Sequence, residues 1–388
     1  MNNRLFVIVN EDRFLLSHRK EIVVVALARG YEVTVVAKDT GQKKEILSLG
    51  AKYIDLPVNP TGKNIVQELQ TFCFLWKLFR KENPDIVHNV GLKQILWGGL
   101  ASKLVSVPLM VSAVSGLGVM FSSENLSLYA RGILAVIRFS HHRNGVAAIF
   151  QNGEDKKLFL DHKIVKQEQI YLTKGSGVNL RDFAYTPDPD TKKVNVIFTA
   201  RMVKEKGMET LIEAAELLRK DYEDKAEFWL CGGLSNNPKA IKEHELRTLC
   251  DGKYIQWLGH RTDVRELLMK AHIVAFPSYY REGVPKSLIE ATAIGRPIVT
   301  TNSVGCKDVV EDGVNGYLIP IKDSRVLADR LKRLIDEKEL RITMGEKSRE
   351  FAERDFDVNN VVDTHLRIYK IVNHSKNGKY NLKKRRFS

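Results

Sequence analysis

Two carboxylates eight positions apart mark the stretch of this chain whose residue types best suggest chemistry. Glu282 follows a short apolar run, and Glu290 lies on a predicted helix that is otherwise apolar. A buried carboxylate is costly without hydrogen-bond donors, and adjacent hydroxyls of a ribose or another sugar ring would supply them. Gly283 permits the bend before the helix, Pro285 suits its first position, and Gly295 ends it. The open N–H groups at such a helix start favour an anion such as a diphosphate.

Two cations stand before another predicted helix. The buried-strand pattern VNVIFTAR ends on Arg201, and Lys206 and Gly207 follow shortly afterwards. Positive charges where a strand meets a helix N-terminus would neutralise a leaving nucleoside diphosphate. Arginine offers a planar fork for this purpose, and lysine offers a movable point charge.

The elements that must position these residues are predicted by alternating apolar runs and helical periods. In the first half, Leu5–Val9 and Tyr31–Ala37 predict buried parallel strands, with a helix over 18–30 between them. After a polar linker with two prolines, Tyr185–Lys193, the same alternation restarts. A chain of 388 residues is long enough for two domains. We therefore predict an α/β fold with two Rossmann-like domains.

Ligands of parallel sheets bind beyond the carboxyl ends of the strands, which gives the first half its own candidates. Asn10–Ser17 and His88–Lys93 are predicted to lie at that edge. His88 stands at the end of its predicted strand. A histidine in this place is either a packed or capping residue or a ligand contact, and the pattern alone leaves both open.

The composition is that of a globular protein with a strong positive charge. The formal net charge is +14 and the sequence pI about 9.4, which predicts an acidic partner such as anionic lipid, a phosphorylated substrate or nucleic acid. Four scattered cysteines without a C-x-x-C pair favour free thiols over disulfides or a metal site. Neither a secretory signal nor an apolar run of membrane-spanning length is evident, so we expect a cytoplasmic protein.

The segment 116–150 is the predicted membrane-facing part of the chain. SGLGVMF offers apolar side chains, and over 128–143 apolar residues alternate with arginines and histidines at helical spacing. A basic amphipathic helix can lie on an anionic bilayer, but a core helix with a solvated basic edge fits the pattern equally well. The tail 374–388 has six cations and no core residues, and we expect it to contact anionic lipid.

The motif E-G-x-P-x-S-x-x-E-A-x-A-x-G-x-P around Glu282 and Glu290 resembles the signature of retaining glycosyltransferases with the GT-B fold, in the large fourth sequence family (glycosyl transferases group 1). The A-R-x-x-x-x-K-G element is similar to that family's diphosphate clamp. F-x-x-S-H-R and SGLG resemble a subgroup that builds bacterial surface polysaccharides and lipid-linked oligosaccharides. Unlike many relatives, the first loop NEDRFLLSHR has no Gly-Gly pair, so Ser17, His18 or Arg19 is expected to replace it.

The resemblance implies two Rossmann-like domains that face each other across a cleft, with a C-terminal helix crossing back to the first domain. The implied boundaries are 1–185 for the acceptor-side domain, 190–355 for the nucleotide-sugar domain, 356–373 for the crossover helix and 374–388 for a basic tail.

The resemblance also implies a role for each motif residue. Glu290 would hold the ribose hydroxyls, Arg201 and Lys206 the diphosphate, and Glu282 the hydroxyls of the donor sugar. His88 would contact the transferred sugar and support the charge that develops on it. Backbone and neighbouring groups implied to contact the donor are those of Gly283, Val284, Pro285, Ser287, Leu258, Gly259, Gly233, Gly175 and Gly177.

The implied reaction moves a hexosyl or N-acetylhexosaminyl unit from a nucleotide sugar, expected to be a UDP-sugar, to a hydroxyl with retention. Its implied acceptor is a polyprenyl-diphosphate-linked sugar at the inner face of the cytoplasmic membrane. The motifs contain no evident protein nucleophile and no D-x-D pair, so we expect a front-face mechanism without metal or other cofactor.

Three other classes remain as alternatives. The charge would suit a nucleic-acid-binding protein, but no base-reading helix, zinc finger or aromatic platform is recognisable, and we expect no nucleic-acid partner. A nicotinamide-dependent oxidoreductase would need a G-x-G-x-x-G after the first strand, which is absent. A sugar phosphorylase or epimerase with the same double-domain fold is the third alternative, and product analysis with and without an acceptor would distinguish it from a glycosyltransferase.

Overall fold

The computed structural model describes residues 3–57, 65–118, 121, 126–235 and 240–372. They form two compact units. Unit 1 comprises residues 1–115 and 123–173 together with the chain from Asn360 onward, and unit 2 comprises 116–122 and 174–359. Within the described ranges, no helix is both long and apolar enough to cross a lipid bilayer.

Unit 1 is built on a seven-stranded parallel sheet with the order β3-β2-β1-β4-β5-β6-β7. Its central strands β4, β5 and β6 are buried along their whole length because helices cover both faces of a parallel sheet. They are β1 Arg4–Glu11, β2 Glu32–Lys38, β3 Lys52–Asp55, β4 Ile86–Val90, β5 Leu109–Val114, β6 Val146–Phe150 and β7 Ile170–Leu172.

The helices of unit 1 connect these strands, and the last one returns from the end of the chain. They are α1 Asp12–His18, α2 Lys20–Ala28, α3 Lys43–Ser48, α4 Ile65–Glu82, α5 Leu92–Leu104, α6 Leu128–His141, α7 Gly153–Asp161 and α14 Val358–Tyr369. From Asn360 on, α14 belongs to unit 1, where its Tyr369 packs against Tyr31.

Unit 2 is a six-stranded parallel sheet with the order β10-β9-β8-β11-β12-β13. Its strands are β8 Val194–Thr199, β9 Ala226–Cys231, β10 Ile255–Gly259, β11 Ile273–Phe276, β12 Ile298–Thr301 and β13 Gly316–Ile319. Its helices are α8 Met208–Tyr222, α9 Glu243–Leu249, α10 Val264–Lys270, α11 Lys286–Ile294, α12 Ser324–Asp336 and α13 Lys338–Phe351. The prediction of two Rossmann-like domains is thus confirmed, since both sheets begin their strand order as third, second, first, fourth.

Unit 2 also holds two segments that the sequence placed in the first domain. In residues 116–122, the backbone of Phe121 accepts a hydrogen bond of 3.0 Å from the Arg281 guanidinium. In residues 174–185, Val178 exchanges backbone hydrogen bonds with Phe356 and Val358. The first bond attaches residues 116–122 to the loop that carries Arg281. The other two attach residues 174–185 to the last residues of unit 2, near Phe356.

Two local predictions were wrong. The first loop is largely helical, because α1 begins immediately after β1 and Asp12 is buried there, accepting hydrogen bonds from Thr40 and Gln42. Pro285 is not the first residue of its helix but its N-cap, with φ −63° and ψ 125°. The extended ψ turns the chain into α11, and Gly295, at φ +86°, ends this helix as predicted.

Candidate active site

The candidate site lies at the carboxyl edge of the unit 2 sheet, where β8 and β11 are hydrogen-bonded neighbours. Beyond β8 the chain makes a 3₁₀ turn, Lys204–Lys206, and Gly207 links it to α8. Gly207 has φ +83°, and a Cβ at this position would overlap with the carbonyl oxygen of Pro277 after β11. Only glycine allows the two loops to approach this closely.

Backbone contacts hold the loop after β11 against the turn that carries Lys206. The Tyr279 N–H donates to the Glu205 carbonyl at 3.0 Å, and the Ser278 hydroxyl donates to the same oxygen at 3.3 Å. The two loops therefore form one layer over the strand ends, and side chains far apart in sequence meet there.

Lys206 and Glu282 form an ion pair in this layer. The Lys206 Nζ lies 2.6 Å from one carboxylate oxygen of Glu282 and 2.7 Å from the other. The lysine is 9% exposed, and its Nζ lies 5.2 Å from the ring centre of Phe276 and 5.6 Å from that of Tyr280. Two aromatic faces and a carboxylate thus hold the ammonium group in place.

Arg201 is exposed at the end of β8. Within the described part of the chain its guanidinium forms no ion pair and no side-chain hydrogen bond. Its charge acts on Tyr280, whose hydroxyl pKa is raised by burial and lowered in part by this arginine. Arg201 can therefore bind an anion without first breaking an ion pair.

Glu290 lies on α11 with its side chain only 16% exposed. Burial raises the pKa of its carboxyl, and the Lys286 ammonium, 3.8 Å away, lowers it in part. Lys286 was not among the predicted site residues, although its spacing of four from Glu290 on a helix would have indicated it. Tyr280 was also missed, because an aromatic residue in a loop carries no spacing signal.

The backbone before α11 is enclosed by glycines. Gly116 and Gly305 have φ of +103° and +87°, and a Cβ on either would overlap with the backbone of Gly283. A Cβ on Gly175, at φ +73°, would overlap with the side chain of Ile289 and press on that of Val284. The predicted residues Gly283, Val284 and Gly175 are thus close neighbours in this unit.

The remaining predicted donor contacts follow other strands of the same sheet. Leu258 and Gly259 end β10, Gly233 follows β9, and the Gly232 N–H donates to the Gly259 carbonyl at 2.8 Å. The sheet order therefore brings the ends of β10, β9, β8 and β11 to one edge. Ser287 is half-buried in the first turn of α11, and Gly177, at φ +73°, lies in the segment 174–185.

His88 lies elsewhere, inside unit 1. It is the middle residue of β4 rather than an exposed residue at the strand end, and it is fully buried. Its Nδ1 lies 2.7 Å from the Tyr369 hydroxyl, and its ring centre 5.1 Å from that of His365. Burial holds the pKa of His88 well below its ordinary value, so the ring is neutral. These surroundings are those of a packed histidine, and its predicted contact with a sugar stays a prediction.

The loop residues expected to replace a Gly-Gly pair are also partly internal. Arg19 is buried, and its guanidinium donates to the His18 carbonyl at 2.9 Å. Ser17 and His18 bond each other at 2.6 Å near the end of α1. No group of three or more His, Cys, Asp or Glu side chains suited to a metal ion occurs among the described residues.

Comparison with known proteins covers both halves of the chain. The family model described as "Glycosyl transferases group 1" matches residues 185–351, and the model described as "Glycosyl transferase 4-like" matches residues 4–145. Over 367 residues the chain is 27% identical to N,N'-diacetylbacillosaminyl-diphospho-undecaprenol alpha-1,3-N-acetylgalactosaminyltransferase of Campylobacter jejuni, covering 90% of this chain and 94% of that protein.

Two further matches come from a curated protein and a solved structure. UDP-Gal:alpha-D-GlcNAc-diphosphoundecaprenol alpha-1,3-galactosyltransferase of Escherichia coli is 24% identical over 328 residues, covering 80% of this chain and 82% of that protein. The crystal structure of Anabaena HepE in complex with UDP superimposes with a TM-score of 0.74 at 19% identity, covering 96% of this chain and 99% of that chain.

Proposed function

We propose that this chain is a group 1 glycosyltransferase and that it transfers a sugar from a nucleotide sugar to a hydroxyl of a lipid-linked glycan during assembly of bacterial cell-surface polysaccharide. The GT-B fold predicted for such an enzyme is confirmed by the two Rossmann-like units and by the likeness to solved glycosyltransferases, such as the one from Rickettsia africae, with a TM-score of 0.76. The observation that carries the proposal is the placement of Arg201, Lys206 and Glu282 in the loops at the carboxyl edge of the unit 2 sheet, with Glu290 on the helix that follows.

The proposed donor is a UDP-sugar held by unit 2. Arg201 and Lys206 would bind the diphosphate, because both cations follow β8 just before the start of α8. Glu290 would accept hydrogen bonds from the ribose hydroxyls, and Glu282 from hydroxyls of the sugar. The name of the E. coli relative specifies UDP-Gal, and the Anabaena structure contains UDP, which supports uridine as the base.

The proposed acceptor is a sugar on a polyprenyl diphosphate. The names of the C. jejuni and E. coli relatives both specify acceptors linked to undecaprenyl through a diphosphate. Their names also specify alpha linkages, and an alpha product formed from an alpha-linked UDP-sugar retains the anomeric configuration. We therefore include retention in the proposal.

Retention without a protein nucleophile requires a front-face reaction. The bond between the anomeric carbon and the diphosphate oxygen breaks, and UDP leaves with that electron pair. The acceptor hydroxyl oxygen bonds to the same face of the anomeric carbon, and its proton passes to the leaving phosphate oxygen. Arg201 and Lys206 would stabilise the negative charge that accumulates on the diphosphate as the bond breaks.

The outer face of α6 is the proposed contact with an anionic membrane. The predicted apolar residues divide between two faces, because Leu134 and Ile137 are buried while Leu128 is 86% exposed and Phe139 is also exposed. Arg131 is exposed on this helix too. Exposed apolar residues beside cations suit a surface that meets lipid headgroups, where a lipid-linked acceptor would be presented.

Binding and transfer assays test the proposed donor site. We expect UDP to raise the melting temperature more than ADP or GDP, and labelled UDP-sugars to be transferred to synthetic polyprenyl-diphosphate sugars. Glu290→Ala and Lys206→Ala should abolish stabilisation by UDP while retaining the fold, whereas Lys332→Met, at an exposed lysine on α12, should behave as wild type. Full turnover by both site variants would refute the proposed site.

Sedimentation with vesicles tests the membrane contact. Leu128→Glu combined with Phe139→Glu should release the protein from vesicles that contain anionic phospholipid, because burying two carboxylates in the interface is unfavourable. Transfer to a water-soluble acceptor analogue should be unchanged. Equal vesicle binding by wild type and variant would show that α6 is not the contact.

A further inference from the structure

Glu290, the carboxylate proposed to bind the ribose, is largely buried in the free protein, which disfavours its ionised form. Glu290 is flanked on α11 by the fully buried residues Ile289 and Ala291. Burial raises the pKa of its carboxyl above the ordinary value. To accept hydrogen bonds from both ribose hydroxyls the carboxyl must be ionised, since a protonated carboxyl is itself a donor at one oxygen. A positive charge close to this buried carboxyl would favour its ionised form in the free enzyme.

Lys286 is placed to do this. It begins α11 one helical turn before Glu290, and its Nζ lies 3.8 Å from a carboxylate oxygen. The lysine side chain is largely buried beside the glutamate, so their attraction is only weakly screened by water. Residues four apart on a helix face the same side, which makes the contact a property of the helix itself.

The other charged groups on elements that pack against α11 are engaged elsewhere. Arg349 of α13 donates to the Ala293 carbonyl at the far end of α11, at 2.7 Å, and pairs with Glu353. Asp355, after α13, pairs with Lys174 and Arg354, and on α10 Arg265 pairs with Glu266. Among the described residues, Lys286 is thus the charged side chain that acts on the Glu290 carboxylate.

We propose that Lys286 is a positioning residue of the nucleotide site, which holds Glu290 ionised and oriented so that the carboxylate can receive both hydroxyls of a ribose. The proposal rests on the proposed function, in which Glu290 binds ribose. It makes the ribose subsite a Lys286–Glu290 pair instead of a single glutamate. A site built on two hydroxyls also discriminates against a nucleotide that lacks one of them.

Removing Lys286 should make nucleotide binding depend on pH. Without the ammonium group the pKa of Glu290 rises further, so a larger fraction of the carboxyl is protonated near neutral pH. The ionised fraction returns as the pH rises, and affinity for UDP should return with it. Selectivity for UDP over 2′-deoxy-UDP should fall at low pH and recover in the same range.

The test is calorimetric titration of UDP and 2′-deoxy-UDP from pH 6 to 9. We expect Lys286→Met to bind UDP several-fold more weakly than wild type at pH 6.5, because only the ionised fraction of Glu290 accepts both hydroxyls, and to approach wild type at pH 9. Lys286→Arg, which keeps the charge, should restore binding, and Lys332→Met should match wild type. Melting temperatures of all variants establish that they fold.

Three results would overturn the proposal. Wild-type affinity of Lys286→Met at every pH would show that Glu290 does not need the lysine. A loss by the same factor at every pH, with unchanged selectivity against 2′-deoxy-UDP, would mean that Lys286 contacts the ligand directly or is purely structural. Wild-type binding by Glu290→Gln would instead refute the ribose role in the proposed function, a failure that the glutamate variant reveals by itself.

Discussion

At the scale of single residues, the candidate site contains charges that already neutralise one another in the free protein. Lys206 is proposed to bind the diphosphate, and Glu282 is proposed to bind the sugar. In the free protein the Lys206 ammonium group donates hydrogen bonds to both carboxylate oxygens of Glu282. A donor must therefore compete with Glu282 for the lysine. Glu282 consequently has two effects, because it orients Lys206 and also weakens the affinity of the lysine for phosphate.

Replacing Glu282 with glutamine should separate these effects. Without the carboxylate, Lys206 is free for phosphate, and we expect UDP to bind up to about tenfold more tightly, the equivalent of one charged hydrogen bond. Turnover should fall by about 100-fold, because the contact with the sugar and the orientation of the lysine are lost. Calorimetry with UDP and a transfer assay measure the two quantities.

The matched control for this prediction is Glu205→Gln. Glu205 lies in the same 3₁₀ turn, and its contacts with the neighbouring loop use the backbone carbonyl, which the substitution keeps. Weaker or unchanged UDP binding by Glu282→Gln would contradict the competition between carboxylate and phosphate.

Buried histidines give unit 1 a stability that depends on pH. Burial lowers the pKa of His365 to about 3 and that of His141 to about 4, and it holds that of His88 well below its ordinary value. Below pH 6.5 the unfolded chain binds protons at these histidines while the folded chain does not. The free energy of unfolding should therefore fall as the pH decreases from 6.5 toward 4, by up to about 1.4 kcal/mol per pH unit for each histidine.

Melting temperatures measured across this range test the prediction. His365→Leu should give a shallower fall with decreasing pH than wild type, because one buried group no longer takes part. His244→Leu, at an exposed histidine of α9, should leave the slope unchanged. An equal slope in wild type and His365→Leu would contradict the assignment.

At the scale of elements, glycines set how closely the loops of the site approach. Gly207→Ala combines a positive φ with a Cβ that overlaps the Pro277 carbonyl, whereas Gly252, at φ +74°, has open space where its Cβ would lie. We expect Gly207→Ala to lower the free energy of unfolding by about 3 kcal/mol and Gly252→Ala by about 1 kcal/mol. Calorimetric melting of the two variants measures the difference, and equal losses would show that the close approach is unimportant.

The sequence predicted the elements of unit 2 well, because its site motifs coincide with strand ends. The buried strand before Arg201 and the helix ended by Gly295 are signalled by adjacent residues, and both are present in the structure. The order of β10, β9, β8 and β11 then places the predicted residues along one edge, a consequence of pairing that no local pattern contains.

The direction in which a side chain points could not be predicted from the sequence alone. His88 belongs to a strand, but strand periodicity does not tell which helix layer covers a given face, and α14 is contributed by residues far along the chain. The same limit applies to α6, whose apolar residues divide between the core and the surface. The seven-residue helix α1 was missed because its first residue, Asp12, accepts hydrogen bonds from Thr40 and Gln42. These bonds form only in the folded chain.

At the scale of the whole molecule, we propose that positively charged side chains take the place that a metal ion would have in the reaction. The chain carries a net charge of +14, and Arg201 and Lys206 are the cations assigned to the diphosphate. We therefore expect transfer activity to change less than about twofold when divalent metals are removed with EDTA, since these two side chains would stabilise the charge on the leaving diphosphate. A loss of activity that Mg²⁺ or Mn²⁺ restores would contradict this expectation.

The most direct test of the central claim is a crystal structure of the full-length protein with UDP. It should place the diphosphate within about 3.5 Å of the side-chain nitrogens of Arg201 and Lys206, with the ribose hydroxyls bonded to the Glu290 carboxylate. In that structure the Lys206–Glu282 distances should be longer than those of the free protein. UDP bound away from the strand ends of unit 2, or bound there without contact to these side chains, would contradict the account.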